Sequence, residues 1–327
     1  MPGKTARTIQ VVSHGPSCLD GVMAAAAVAR FYEGHKVFTT LAGNNDADRV
    51  LQALTLKSED RGSENEIWIT DLSWNSAATG AHLTELSERG ARIYWIDHHR
   101  TAVSRADGPE FKVPFAGKVL SEQYSAARLT FNFLKRMGRG LGERQRAEFD
   151  AFQPFAMIAD DHDRWIHKIP ASSDWALAVQ TLGGSASYRE ILKLREPQMS
   201  RKLYLAFESG QDAMRRSLEL AHATMVDRKL DNGITVRTAC CFGYSSEVAA
   251  KLYKGQTRMV VALFDLRSQG VSLRRSPDSD VDLSILAQHY GGGGHEAASG
   301  FALPDLRRLP AERLAEILGD QLEKPAT

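Results

Sequence analysis

The stretch RIYWIDHH, residues Arg92 to His99, is a short apolar run that ends in one carboxylate and two imidazoles. Short apolar runs bounded by polar clusters are typical of strands that are buried on both faces. Similar runs precede this one in the chain, at Thr8 to Ser13, Lys36 to Leu41 and Glu66 to Thr70. We therefore predict strands at these three runs and at Arg92 to Ile96, all within the first 120 residues.

Helical patterns separate these strands. In the intervening segments, apolar residues recur every three or four positions, a spacing that buries one face of a helix against a sheet. Alternating strands and helices predict βαβ units, and therefore an α/β fold with a doubly wound, mostly parallel sheet. The predicted helices are Gly21 to Tyr32, Asp46 to Leu56, Ser76 to Arg89, Tyr124 to Arg136 and Glu143 to Ile158, and Lys118 to Leu120 is a further candidate strand.

The last third of the chain is organised differently. Arg201 to Lys229 contains few helix breakers, and we predict one long connecting helix there. A second alternating pattern follows and predicts a smaller, mixed α/β domain. The predicted divisions are a first domain at 1–185, a helical connector at 186–230 and a second domain at 231–327. In the second domain the predicted strands are 234–241, 259–265 and 271–274, and the predicted helices are 246–252, 281–290 and 310–322.

Composition excludes several functional classes. The 327 residues carry 41 basic and 40 acidic side chains, so the net charge of +1 offers no general positive field for a long nucleic acid. The cysteines, adjacent Cys240 and Cys241 and distant Cys18, form neither a disulfide framework nor a zinc-finger spacing. The sequence contains no run of bilayer length and no signal-peptide pattern at its start. We expect a cytoplasmic protein without a membrane partner.

Acidic and imidazole side chains follow the predicted strands at their carboxyl ends. These ends share one edge of a parallel sheet, which is where open α/β sheets bind ligands. Carboxylates gathered there repel one another unless positive charge lies between them, so the pattern predicts divalent cations, Mn²⁺ or Mg²⁺. The candidate ligands and neighbouring groups are His14, Cys18, Asp20, Asp71, Asp97, His98, His99 and, from the acidic turn 160–163, Asp160.

Each of these residues, taken alone, is also compatible with a purely structural role. An Asp that follows a strand often caps the next helix. A lone histidine is at least as often a satisfied or exposed side chain as a metal ligand. Only the recurrence of such residues at successive strand ends favours a metal site.

A glycine run near the C-terminus suggests a second site. Gly291 to Gly294 precede His295, and Arg274 ends a predicted strand nearby. Backbone N–H groups of Gly292, Gly293 and Gly294 can approach an anion closely, and an arginine can bind a phosphate through two hydrogen bonds. The pattern predicts a phosphate or nucleotide pocket, although a plain glycine turn between helix and strand would look similar.

Together these residues resemble the DHH phosphoesterase superfamily, named for the triplet that stands here as Asp97-His98-His99. Its first motif resembles His14 to Asp20, its second a lone Asp such as Asp71, and its fourth an Asp such as Asp160. The associated C-terminal domain has S-x-R and G-G-G-H motifs, which resemble Ser272 to Arg274 and Gly291 to His295. The resemblance covers nearly the whole chain.

The resemblance implies a hydrolase in which two divalent ions activate water. It implies that Asp71 bridges the ions, that His14 and Cys18 hold one, and that Asp20, His98 and Asp160 hold the other. Asp97 would then orient His98 or coordinate from behind, and His99 would contact the phosphate. Domain 1–185 would be catalytic, and domain 231–327 would bind substrate through Arg274, Gly292 to Gly294 and His295.

Cys18 departs from the family pattern, which has an aspartate at that position. A thiolate there would shift metal preference toward softer ions. Alternatively, that site binds its ion weakly, or Cys18 is a small buried thiol without a catalytic role.

The resemblance fixes the reaction type better than the substrate. Our first hypothesis is hydrolysis of short oligoribonucleotides or cyclic dinucleotides to mononucleotides, so the expected partner is a short nucleotide or dinucleotide rather than a long nucleic acid. The second is a nucleoside 3′,5′-bisphosphate phosphatase or an exopolyphosphatase. The third is a nucleotide-binding sensor with a weakened metal centre. A homodimer is also compatible with the sequence.

Overall fold

The computed structural model describes residues 7–57, 64–138, 141–303 and 311–323. The chain forms two compact units that divide between Gly210 and Gln211. This division lies inside the predicted connector 186–230, and the three-part domain division stays a prediction. No helix among the described residues is both long and apolar enough to cross a membrane.

Unit 1 is built on a five-stranded sheet in which every pair of neighbours is parallel. The strand order β2-β1-β3-β4-β5 reverses direction between β1 and β3. In such sheets the crevice at the reversal, beyond the carboxyl ends of the strands, is the usual ligand site. The strands are β1 (Arg7–His14), β2 (Lys36–Ala42), β3 (Glu64–Thr70), β4 (Arg92–Asp97) and β5 (Phe115–Leu120).

Helices cover both faces of this sheet, as a doubly wound fold requires. Val11 of β1 belongs to a core layer with Val22 and Leu129, whereas Val12 points into the opposite layer with Leu51 and Leu83. The α/β fold predicted from the sequence is confirmed. The helices are α1 (Leu19–Phe31), α2 (Ala47–Gln52), α3 (Ala77–Glu88), α4 (Arg100–Ser104), α5 (Ala126–Met137), α6 (Glu143–Asp150), α7 (Gln153–Asp163), α8 (Ser172–Leu182) and α9 (Gly184–Ile191).

The predicted helix 143–158 was wrong in its length. The structure has two helices there, α6 and α7, which are separated at residues 151–152. Pro154 lies in the first turn of α7, where its missing N–H costs nothing, but it could not occupy the interior of a continuous helix.

Unit 2 contains a six-stranded mixed sheet in the order β10-β11-β9-β8-β7-β6. Only β7 and β8 pair in parallel, and the other neighbours are antiparallel. A separate apolar core, including Val260, Leu273 and Leu286, lies against it. Its elements are β6 (Val226–Lys229), β7 (Thr235–Cys241), α11 (Ser245–Tyr253), β8 (Met259–Asp265), β9 (Gly270–Arg275), α12 (Leu283–His289), β10 (Gly293–His295), β11 (Ala298–Ala302) and α13 (Ala311–Glu323).

One prediction near unit 2 needs correction. The long helix α10 (Arg201–Thr224) ends five residues early, because Val226–Lys229 form the edge strand β6 against β7. Within the glycine run, Gly293 and Gly294 lie in β10 and pair with β11. The predicted start of the last helix, Pro310, lies outside the described residues.

Candidate metal centre

Three strands of unit 1 bring acidic or imidazole groups to the same edge of the sheet. His14 is the last residue of β1, Asp97 is the last residue of β4, and Asp71 follows β3 directly. Asp71 has a φ of 55°, and its N–H donates to the carbonyl of Ile96 at 2.9 Å. A non-glycine residue in this left-handed region is uncommon and is typical of a functional turn. The turn leaves the Asp71 carboxylate buried at the reversal of strand order.

The two carboxylate oxygens of Asp71 face two different sets of side chains. Oδ2 lies 3.5 Å from His14 Nδ1 and 3.6 Å from Cys18 Sγ. Oδ1 lies 3.3 Å from His98 Nε2 and 3.8 Å from His99 Nδ1. Asp71 is therefore the group shared between two neighbouring clusters.

His98 connects Asp71 to two further carboxylates. Its Nε2 lies 3.7 Å from Asp20 Oδ2 and 3.6 Å from Asp163 Oδ2. Asp20, in the first turn of α1, also accepts hydrogen bonds from the N–H groups of Ala126 and Ala127 at 2.7 and 3.0 Å. These donors belong to the amino terminus of α5, which favours negative charge and fixes the Asp20 carboxylate.

Asp97 holds the segment that carries both histidines. Its Oδ1 accepts from the N–H groups of His98 and His99 at 2.7 and 3.1 Å, and it lies 2.7 Å from His99 Nδ1. Its Oδ2 accepts from Ser73 Oγ at 2.6 Å. The side chain oriented by Asp97 is thus His99, whereas the sequence suggested His98.

Asp160 does not join the cluster. Its oxygens accept hydrogen bonds from the N–H of Ser125 at 2.8 Å and from the guanidinium of Arg128 at 2.7 Å. Asp163, one turn later in α7, is the carboxylate beside His98. The geometry moves the proposed ligand from Asp160 to Asp163.

Several known proteins are similar to this chain in sequence or in fold. No protein-family model matches the chain. The oligoribonuclease NrnB of Bacillus subtilis is 24% identical over 303 residues, which cover 88% of this chain and 71% of NrnB. The structure of RecJ from Thermus thermophilus with Mn²⁺ aligns with 98% of this chain and 53% of RecJ, at a TM-score of 0.56 and 17% identity.

A solved DHH domain from a member of a ribosomal-protein family gives a similar match. It aligns with 98% of this chain and 88% of its own length, at a TM-score of 0.55 and 14% identity. Its fold is shared by this chain, in which Asp97-His98-His99 stand at the end of β4. The chain therefore shares the fold of a solved DHH domain and carries the Asp97-His98-His99 triplet at the corresponding kind of position, after a strand of the parallel sheet. The Asp97-His98-His99 triplet meets residues from the ends of β1 and β3, from the start of α1 and from the end of α7. We call these residues of unit 1 the DHH cluster: His14, Cys18, Asp20, Asp71, Asp97, His98, His99 and Asp163.

The DHH cluster carries strongly shifted acid groups. Burial raises the pKa of Asp20 well above its usual range, and the carboxylates of Asp71 and Asp163 add to the rise. Burial, together with the Asp71 carboxylate, also raises the pKa of Asp163 against the opposing effect of His98. Burial acts in the same direction on Asp71, but His14 and His98 outweigh it and lower the pKa of Asp71.

The pKa values of the two imidazoles of the triplet are raised as well. Burial would lower the pKa of His98, but Asp163, Asp71 and Asp20 raise it to about 11. Burial likewise opposes Asp97 and Asp71 at His99, whose pKa rises to about 9. The carboxylates therefore need positive charge among them, which either imidazole protons or a bound cation can provide.

The residues of the DHH cluster fit divalent cations. Asp71 Oδ1 is buried and accepts no hydrogen bond of adequate geometry from the residues that the structure describes, which leaves an oxygen suited to a metal ion. Within unit 1, ligand atoms of three groups lie within 4.8 Å of one another: His14, Cys18 and Asp71; Asp20, His98 and Asp163; Asp71, Asp97 and His99. Carboxylate oxygens with imidazole nitrogens are ligands for Mn²⁺ and similar ions.

Unit 2 has its own candidate anion site. His295 in β10 pairs with Ala298 in β11, and Ala298 pairs with Arg274 in β9. Directly opposed residues share a face of the sheet, so His295 and Arg274 lie on the same face. The Arg274 guanidinium donates to the Leu273 carbonyl at 2.7 Å and to Ser246 Oγ at 2.5 Å. Ser246, at the start of α11, carried no signal in the sequence.

The glycines in this region have different roles. A Cβ on Gly294, whose φ is 138°, would lie 2.6 Å from the carbonyl oxygen of Ala298, so β11 excludes a side chain there. A Cβ on Gly292 would collide with the carbonyl oxygen of Gly300. A Cβ on Gly293 would have no atom of the described residues within 4 Å. Packing thus explains Gly292 and Gly294, and Gly293 leaves open space for a ligand.

Proposed function

We propose that this DHH protein is a metal-dependent phosphodiesterase that hydrolyses short oligoribonucleotides or cyclic dinucleotides to mononucleotides. The observation that carries the proposal is the position of Asp71, whose two oxygens face separate ligand groups. A carboxylate placed in this way could be shared between two cations. The similarity to NrnB, named an oligoribonuclease, supports a short ribonucleotide substrate.

Six residues of the DHH cluster have a defined part in this proposal. A pair of divalent ions, with Mn²⁺ as our first choice, would supply an activated water and would neutralise charge on the phosphoryl oxygens. Asp20, His98 and Asp163 would hold one ion, and Asp71 would be shared. Asp97 fixes His99 through Nδ1 at 2.7 Å. The other ring nitrogen of His99 would then donate to the scissile phosphate.

Unit 2 would supply substrate affinity. The planar guanidinium of Arg274 is held by Ser246 and by the Leu273 carbonyl, which preserves its orientation for a phosphate. His295, on the same face, would bind a second phosphate or a base. Gly293 offers the open surface that close approach of an anion requires.

A substrate panel tests the proposal directly. The purified protein with Mn²⁺ would be offered linear dinucleotides, short oligoribonucleotides, cyclic dinucleotides, a nucleoside bisphosphate and polyphosphate. We expect mononucleotides to be released fastest from the linear dinucleotides, and a chelator to abolish the reaction. Faster hydrolysis of the bisphosphate or of polyphosphate would overturn the proposed substrate. Tight dinucleotide binding without any product over hours would instead identify a sensor.

Exchange of Arg274 for lysine should raise KM about tenfold and leave kcat nearly unchanged, because lysine keeps the charge but loses the two-pronged hydrogen bonding. Lysine is preferred to alanine because Arg274 counters the burial that raises the pKa of neighbouring Glu247. Steady-state kinetics on a dinucleotide would measure both constants.

The adjacent Arg275 offers a matched control. It donates to Glu296 Oε1 at 2.5 Å and to the carbonyl of Ser279, so it is already used in structural contacts. Arg275→Lys should leave KM unchanged. An unchanged KM in Arg274→Lys would remove Arg274 from the substrate site.

A further inference from the structure

Cys18 lies among side chains that commonly bind metal ions, and its own side chain does not cap helix α1. It is the residue before α1, with a φ of −87°, and its side chain makes no capping hydrogen bond. Ser, Thr, Asp and Asn are the favoured residues at such a position because their oxygens accept from the first turn. Helix capping therefore does not explain a cysteine at position 18.

The thiol is directed toward the DHH cluster instead. Cys18 Sγ lies 3.6 Å from Asp71 Oδ2, and His14 Nδ1 lies 3.5 Å from the same oxygen. Tight packing fixes this turn, because a Cβ on Gly21 would collide with the carbonyl oxygen of His14 and lie 3.0 Å from Asp71 Oδ2. Ser13 Oγ also donates to the carbonyl of Gly21 at 2.7 Å. The Cys18 sulfur and the His14 Nδ1 thus both lie close to Asp71 Oδ2.

The Oδ1 side of Asp71 offers different chemistry. There the further donors are the carboxylates of Asp20 and Asp163 with the imidazole of His98. Oxygen-rich sets suit Mn²⁺ and Mg²⁺, whereas thiolate and imidazole favour zinc-like ions. The ligand set on the Oδ2 side of Asp71 is therefore softer than the set on its Oδ1 side.

We propose that Cys18, His14 and Asp71 form a site selective for Zn²⁺-like ions such as Zn²⁺ or Co²⁺, next to a harder site formed by Asp20, His98 and Asp163. When the ion binds, the S–H bond of Cys18 breaks, a sulfur–metal bond forms and the proton leaves to solvent. No oxidation is involved. The inference rests on the metal centre of the proposed function but not on hydrolysis of any particular substrate.

Cobalt spectroscopy tests thiolate ligation without any activity measurement. The metal-free protein would be titrated with Co²⁺, because a cobalt–thiolate bond gives a charge-transfer band in the near ultraviolet. We expect this band in the natural protein and its loss in Cys18→Ser, with visible cobalt bands retained from the other ligands. Cys240→Ser, which changes a cysteine of unit 2, is the matched control and should keep the band.

Two results would overturn the inference: no charge-transfer band at saturating Co²⁺, or an identical band in Cys18→Ser. If Cys18→Ser does not fold, alkylation of the natural protein replaces it, and Zn²⁺ should slow modification of Cys18 as followed by mass spectrometry. Equal modification with and without Zn²⁺ would contradict thiolate binding. A protein that shows the band but hydrolyses no dinucleotide would refute the proposed function and leave this site intact.

The preference of this site for Zn²⁺ over Mn²⁺ can be measured separately from thiolate binding. In equilibrium dialysis against mixed Zn²⁺ and Mn²⁺, the natural protein should retain Zn²⁺ at one site, and Cys18→Asp should lower that preference by about tenfold or more. Identical metal contents in the two proteins would show that position 18 does not contact the ion.

Discussion

Replacing Asp71 with asparagine is expected to lower kcat for dinucleotide hydrolysis on the order of 10³-fold or more. Asp71 has one oxygen beside His14 and Cys18 and the other beside His98. The amide keeps the size of the side chain, but it removes the negative charge and turns one acceptor into a donor. Both proposed cation sites would lose a ligand together. Single-turnover rates with saturating Mn²⁺, and the metal content of the variant, would measure the effect.

Asparagine is a sharper test than alanine at this position. The φ of Asp71 is 55°, and asparagine tolerates the left-handed region better than alanine does. Loss of one carboxylate also relieves repulsion with Asp20 and Asp163, so the fold should persist. Near-natural kcat in Asp71→Asn would refute the shared-ligand assignment.

Glu66 in the same strand is a suitable control. It is fully buried, and its Oε2 accepts from Tyr32 and Trp68, near the start of β3 rather than its end. Glu66→Gln should cost about 1–3 kcal/mol of unfolding free energy through its disturbed hydrogen bonds and leave kcat unchanged. A comparable loss of kcat in Glu66→Gln would mean that any buried charge in β3 controls the rate.

The central strands β1, β3, β4 and β8 were predictable because they are buried at nearly every position and therefore form continuous apolar runs. Met259–Asp265 is buried at every position, and its predicted and observed bounds are the same. The edge strand Val226–Lys229 alternates between half-buried and exposed residues and follows a helix without a breaker. What identifies this segment as a strand is its pairing with β7, which is a nonlocal contact. The sequence pattern alone therefore extended α10 too far.

The positions of the cluster residues followed from a rule of topology, since carboxyl ends of parallel strands share one edge. The choice among acidic residues of α7 did not. A helix turns about 100° per residue, so Asp160 and Asp163 lie only about 60° apart around its axis. The choice depends on Arg128 and Ser125, which bind Asp160 from α5 and the residue before it. These partners are far from Asp160 in the sequence and contact it only in the folded protein. The sequence around residue 160 therefore does not reveal them.

Exchange of Asp163 for asparagine should therefore lower kcat by about 10²-fold or more, whereas Asp160→Asn should leave kcat of the folded protein unchanged. Asp163 Oδ2 lies 3.6 Å from His98 Nε2, in the group that would hold a cation. Asp160 instead accepts from Arg128 at 2.7 Å and from the N–H of Ser125 at 2.8 Å. Rates per folded molecule and Mn²⁺ affinity should be measured for both variants.

The matched pair separates catalysis from stability, because both changes remove one carboxylate from the same helix. Asp160 is buried, and its loss leaves Arg128 without its ion pair, so Asp160→Asn should lower the free energy of unfolding by about 1–3 kcal/mol. Asp163→Asn should not destabilise the metal-free protein, because Asp163 lies beside the carboxylates of Asp20 and Asp71 and its own pKa is raised. The reverse outcome, a slow but stable Asp160→Asn and a fast Asp163→Asn, would return the fourth ligand to Asp160. It would also require α7 to turn relative to His98 when the ions bind.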